Sequence, residues 1–259
     1  MILLNFTIII VIKGLNIMKF KNLLIVLFFV LVIISLQFKK IFLFLFISLI
    51  HELSHLTACL IFKVKVKKIK ILPFGFQMDI ENIENQPCIK QVLIYFAGPL
   101  SFFLNLFLFN FMFFLSDYSL FVMKKANILI AVFNLLPLFP LDGYNILNSI
   151  LNKFFPFKKT LKISFAISTI CFLAFIVYNF FHLQLFLLIF LLIEQIKNFK
   201  NFKLIYKKFL LYKTNKKIYA KKKIIPNYLM FKDVNNYKIE KETILNDYKI
   251  AIHELKKIG

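Results

Sequence analysis

The chain lacks arginine altogether: all 34 basic residues are lysine, against only 12 acids, giving a net charge of +22 over 259 residues. Without a guanidinium it has no planar fork to grip a base edge or a phosphate, so no nucleic-acid partner is expected from this charge. Cysteine is scarce. Cys59, Cys88 and Cys171 are too few and too far apart for a disulfide framework or a CxxC metal site. Cys59 and Cys171 sit in apolar segments as small hydrophobes. No internal repeat is visible, and no cleavable signal peptide is expected. The first apolar stretch, Ile2 to Ile12, is short and lacks a basic leader and a small-residue cleavage site, and Met18 offers an alternative start.

Hydrocarbon is what the chain has in abundance. It is 60% hydrophobic and 18% aromatic, with a mean hydropathy of +0.78, and the apolar residues fall in long blocks. That composition predicts an all-α polytopic membrane protein. About six transmembrane helices are expected, near residues 22–38, 41–62, 91–115, 124–141, 161–181 and 183–197, the last short for a span. Lysines crowd the segments before the first span, after the second, after the fourth and after the sixth. The opposite side holds only Lys39, Lys40, Lys124 and Lys125. The asymmetry predicts both termini in the cytoplasm of a multi-pass bacterial cell-membrane protein.

Two segments interrupt the helical pattern. In "KVKVKKIKILPFGFQMDIEN" lysine alternates with Val or Ile, then Pro73 and Gly75 break the run. The period of two predicts a short membrane-associated β-hairpin, although a basic loop held at anionic headgroups would read similarly. Residues 198–259 are polar and lysine-rich with weak helical patterning around "NFKLIYKKFLLYKTNKKIYAKKK". The expected division is a transmembrane core over 1–197 and a short basic cytoplasmic tail over 198–259, too small for a sizeable independent core.

The chemistry is carried by HELSH, residues 51–55, inside the apolar run from Ile41 to Phe62. A strongly polar side chain at that depth costs roughly 2.5–3.5 kcal/mol even on lenient scales, so something must offset it. On a helix His51 and His55 are i and i+4 and share one face, where two neutral imidazoles can bind one Zn²⁺ at about 2.0–2.1 Å. Glu52 points to the neighbouring side, placed to act as general base on a water. The alternative is a pair of buried histidines hydrogen-bonded within a bundle, with Glu52 paired or protonated. Catalytic zinc takes three protein ligands and keeps one position open. His182 and His253 lie in a far-side link and in the polar tail, Asp117 in a far-side loop, and Glu194 at a span end where it can snorkel. Asp142 remains. It follows two helix-breaking prolines in "NLLPLFPLDG" and precedes Gly143, and it is the expected third ligand; its alternative role is to cap a helix beginning near Tyr144.

At these residues the chain resembles the site-2 protease family, peptidase M50, and within it the stage IV sporulation branch, whose members process a pro-sigma factor. The resemblance rests on "LIHELSH", "KIKILPFGF", "AGPL" at 97–100 and "NLLPLFPLDG", in that order, over roughly residues 40–200. It implies a site-2-protease-like core with one zinc ion held by His51, His55 and Asp142 and a water activated by Glu52. It also implies that Asn134 and Pro140 help hold an extended substrate strand; for Asn134 an interhelical hydrogen bond is an equal alternative. Three positions depart from the family's usual glycine: Ser54, Phe76 and Tyr144. The residues after 197 give no match to the nucleotide-sensing domain that follows the core in the sporulation branch.

These readings converge on an intramembrane zinc metalloendopeptidase that cleaves a membrane-associated regulatory protein, plausibly a pro-sigma factor, with the bilayer and a membrane regulatory protein as partners. The competing readings are a catalytically inactive scaffold of the same family and a metal transporter, which would more often string its ionisable groups along a path.

Overall fold

In the computed structural model the apolar blocks become long helices, described over residues 38–72, 75–179, 185–215, 221–240 and 243–258. Helix α1 (Phe38–Ile61) carries HELSH, and at about 1.5 Å per residue it is roughly 36 Å long, enough to cross a bilayer. Strands β1 (Val66–Leu72) and β2 (Gly75–Ile80) form the expected antiparallel hairpin, with Ile69 opposite Met78. Helices α2 (Cys88–Phe109) and α3 (Asp117–Leu135) follow, then α4 (Asp142–Phe154), α5 (Phe157–Asn179) and α6 (Leu185–Thr214). Among the described residues four helices are long and apolar enough to span: Lys39–Ile61, Cys88–Phe109, Asp117–Leu135 and Phe157–Val177. Only 28–39% of their apolar windows is buried within the chain, so most of their surface is left for lipid. The expected span at 22–38 lies outside the described residues but for Phe38, which opens α1.

Three boundaries differ from expectation. The fourth span begins at Asp117, not near 124, because the hydroxyl of Ser116 accepts from the Ser119 N–H and caps the helix; Asp117 is thus in a first helical turn and not in a loop. It ends at Leu135, because Leu136 precedes Pro137 and is extended. Residues 136–141 form an irregular link containing a cis Phe139–Pro140 bond. The sixth apolar block does not end near 197. It continues as one helix to Thr214, where Glu194 pairs with Lys197 at 2.9 Å.

Residues beyond that helix form a parallel pair, β3 (Lys222–Ile224) with β4 (Asn235–Glu240), and an antiparallel pair of β4 with β5 (Thr243–Leu245). Helix α7 (Asp247–Ile258) closes the chain. Ile225, Met230, Ile250 and Ala251 bury against Tyr206, Phe209 and Leu210 of α6 and against Phe157 and Leu161 of α5. This three-stranded sheet was not foreseen in an all-α fold. Its core is shared with two long helices and so needs few residues of its own. Asp233 Oδ2 accepts the Cys88 N–H at 2.7 Å, capping α2 across 145 residues of sequence with a charge that suits the positive helix end.

Candidate metal centre

Helix α1 brings His51 and His55 to one face, with ring centroids 4.9 Å apart and nearly perpendicular planes. Both rings are buried. Two features of α2 set their position. The Ile94 carbonyl lies 2.7 Å from His55 Nδ1. One turn later Gly98 lies against the rings, where any Cβ would meet His55 Nε2 at 2.2 Å and His51 Nε2 at 2.6 Å. Helix α4 brings the acid. Asp142 falls in its first turn, and its Oδ2 lies 3.0 Å from His51 Nε2 and 3.0 Å from His55 Nε2. It does not cap that helix; Leu141 holds the cap position and makes no side-chain bond there. Gly143 allows the approach, since a Cβ would stand 2.1 Å from the Leu135 carbonyl oxygen.

The protons on these atoms argue for a cation. A carbonyl only accepts, so His55 carries a proton on Nδ1, and a neutral ring then turns a lone pair on Nε2 toward Asp142, as a metal ligand must. Two acceptors 3.0 Å apart repel unless a positive charge joins them. The donor atoms of His51, Glu52 and His55 lie within 4.8 Å of one another, and the two nearby carboxylates supply the charge that a divalent ion would balance. His51 Nδ1 and Glu52 Oε2 are buried without a hydrogen-bond partner among the described residues. Ligands at 2.0–2.1 Å in a tetrahedron stand roughly 3.3 Å apart, so the observed contacts would open by a few tenths of an ångström. Two imidazoles and a carboxylate are a fitting set for zinc with one open position. Glu52 makes no hydrogen bond to either ring, whereas Asp142 touches both, which favours Asp142 as the third ligand and leaves Glu52 beside the set.

All four groups line a cavity of about 1830 Å³, well above the size usual for a small-molecule site. Asn134 and Pro140 line it too. Asn134 Nδ2 donates to the Ile130 carbonyl of its own helix at 3.0 Å, so its amide hydrogens are partly used locally and not between helices. Residues 76–80 of β2 line the cavity consecutively. Neighbouring strand residues point to opposite faces, so the cavity meets the edge of β2 away from β1, where the Phe76 N–H is bonded to Ser48. The cavity also reaches Lys208 and Tyr212 of α6 and Asn215 just beyond it. The non-glycine positions fit locally: Ser54 Oγ bonds the Ile50 carbonyl, the Phe76 N–H donates to Ser48, and Tyr144 pairs with Asn198. His253 stacks on Tyr228 in the last helix, and His182 lies outside the described residues.

Gly98, the Ile94 carbonyl and the buried polar residues of α6 were not singled out by sequence reasoning. The only signal for Gly98 was its place in "AGPL", quoted without a role.

Apolar helices left open to lipid, with two imidazoles and two carboxylates converging at one buried point, define a polytopic membrane protein with a buried site that could hold a divalent metal. Residues 39–121 match Peptidase family M50. The chain is 31% identical over 140 residues to stage IV sporulation protein FB of Bacillus subtilis, covering 52% of this chain and 47% of that protein. It is 33% identical over 137 residues to a zinc metalloprotease of Methanocaldococcus jannaschii, covering 50% and 40%. The matches thus span about half or less of these curated relatives. The solved structure of a site-2 protease from Methanocaldococcus jannaschii aligns with a TM-score of 0.54 at 28% identity, over 69% of this chain and 87% of that one. Residues 39–121 thus carry the pattern of Peptidase family M50, and the fold is similar to that of a site-2 protease.

Proposed function

We propose that the chain is an intramembrane zinc endopeptidase, with His51, His55 and Asp142 as the ligands of one ion and Glu52 as general base. The observation that carries this reading is Asp142 Oδ2 placed 3.0 Å from both ring nitrogens, with the His55 Nδ1 proton committed to Ile94. A bound zinc ion supplies Lewis acidity toward the scissile carbonyl and brings a water's pKa near 7. Glu52 accepts a proton from the attacking water as its oxygen bonds the carbonyl carbon. It returns that proton to the amide nitrogen as the C–N bond breaks, leaving a carboxylic acid and an amine, which pass one proton between them to become carboxylate and ammonium. An extended substrate backbone runs along the cavity beside β2, and Asn134 and Pro140 border the same path. Convergence of the groups on one point, and not along a track, speaks against a transporter.

The substrate is a membrane-associated regulatory protein, plausibly a pro-sigma factor, and a membrane partner regulates access. The likeness to a sporulation protein supports this choice. Lysines of the hairpin and the last segments face the cytoplasm and hold the enzyme against an acidic partner or anionic headgroups. Co-expression with a tagged, membrane-tethered pro-sigma factor should yield a cleaved product in the parent and none in Glu52→Gln, which keeps shape and removes the base. Cleavage by Glu52→Gln would sink the mechanism. A parent that binds zinc and cleaves nothing would make the chain a scaffold.

A further inference from the structure

The two imidazoles sit on a continuous helix, but Asp142 reaches them at the end of the irregular link, whose backbone has no helix to hold it. Its anchors come from α5 and α6. The Phe139 N–H donates to Ser168 Oγ of α5 at 2.9 Å, and the side-chain amide of Gln195 in α6 hydrogen-bonds the same hydroxyl. Three residues along, on the same side of α6, Asn198 Nδ2 donates to the Tyr144 hydroxyl at 3.2 Å. The Phe139 and Tyr144 rings meet edge to face at 5.3 Å. Asp142 therefore lies between two residues, Phe139 and Tyr144, each tied to α6. Tyr144, Ser168, Gln195 and Asn198 are all buried, each with at least one of these hydrogen bonds although Gln195 Oε1 has no partner among the described residues, and none of them has a part in the proposed chemistry.

We propose that Gln195 and Asn198, acting through Ser168 and Tyr144, are positioning residues that hold the Asp142 carboxylate against the two imidazoles, so that zinc affinity depends on α6. The inference rests on the zinc reading above. Loss of an outer partner of a metal ligand typically weakens metal affinity 10- to 100-fold, and this relay is one step further out, so about tenfold is expected.

The test is zinc affinity of the purified full chain in detergent, by competition with a chromogenic chelator, with circular dichroism melts alongside. Tyr144→Phe removes one oxygen; Asn198→Ala tests the same bond from its other side should the first variant not fold. Each should raise the zinc Kd about tenfold. The double variant should do no more than either single one, because both delete one hydrogen bond. Asn105→Ser removes a buried polar pairing with Asn127 between α2 and α3 and should leave the Kd unchanged. The inference is overturned if Tyr144→Phe and Asn198→Ala keep the parent's Kd, if their effects multiply, or if Asn105→Ser raises the Kd equally. Failure of the parent itself to bind zinc would overturn the metal reading and this inference with it, a result distinct from failure in the variants alone.

Discussion

A methyl group at position 98 would stand 2.2–2.6 Å from atoms of both imidazoles, and the His55 ring is tethered. His55 is fixed by the Ile94 carbonyl, four residues before Gly98 on the same face of α2, so that helix supplies both the tether and the space. Gly98→Ala should therefore leave the helical circular dichroism spectrum intact while zinc affinity and peptide cleavage fall at least about tenfold, as metal analysis and the reporter assay would read. That His51, Glu52 and His55 share one turn was legible from residue type and spacing, and the approach of Asp142 from the helix-breaking prolines before it. Gly98 was not, since the role of a missing side chain depends on what approaches it, and that partner lies more than 40 residues away in sequence.

Between elements, the approach of α4 to the end of α3 leaves no room for a side chain. A Cβ on Gly143 would meet the Leu135 backbone carbonyl at 2.1 Å, and backbone cannot swing aside as a flexible side chain can. Gly143→Ala should cost about 1–3 kcal/mol of stability and displace Asp142, seen as a lower melting temperature together with weaker zinc binding. The hairpin was readable from its alternation and its Pro/Gly break. The start of α3 was misjudged because Lys124 and Lys125 suggested a span boundary; lysine stems can run along apolar surface, and the better signal was Ser116 before Asp117, a capping serine with an acid in the first turn. The length of α6 was missed for a similar reason. Its charged second half packs against the last sheet and helix and is not a polar tail.

For the whole molecule, the two halves stand or fall together. Leu210 is fully buried where α6 meets the final segments, so Leu210→Ala should destabilise the protein by about 2–5 kcal/mol in a denaturation or melting experiment. A strong chelator should lower the melting temperature of the loaded protein, since ligand at 100 times its Kd contributes about 2.7 kcal/mol. The sheet of the last 40 residues was illegible because its strands are short and its core borrows Phe157 and Leu161 from α5. Counting the apolar residues of that stretch alone gave too little to fold.

The carboxylate of Asp233 on the Cys88 amide has a consequence for synthesis. Helix α2, which frames the imidazoles, is finished at its start by a residue the ribosome has not yet made when that helix emerges. At about 5–20 residues per second, the intervening stretch takes on the order of ten seconds to appear. The start of α2 therefore gains its charged cap only after Asp233 has been made.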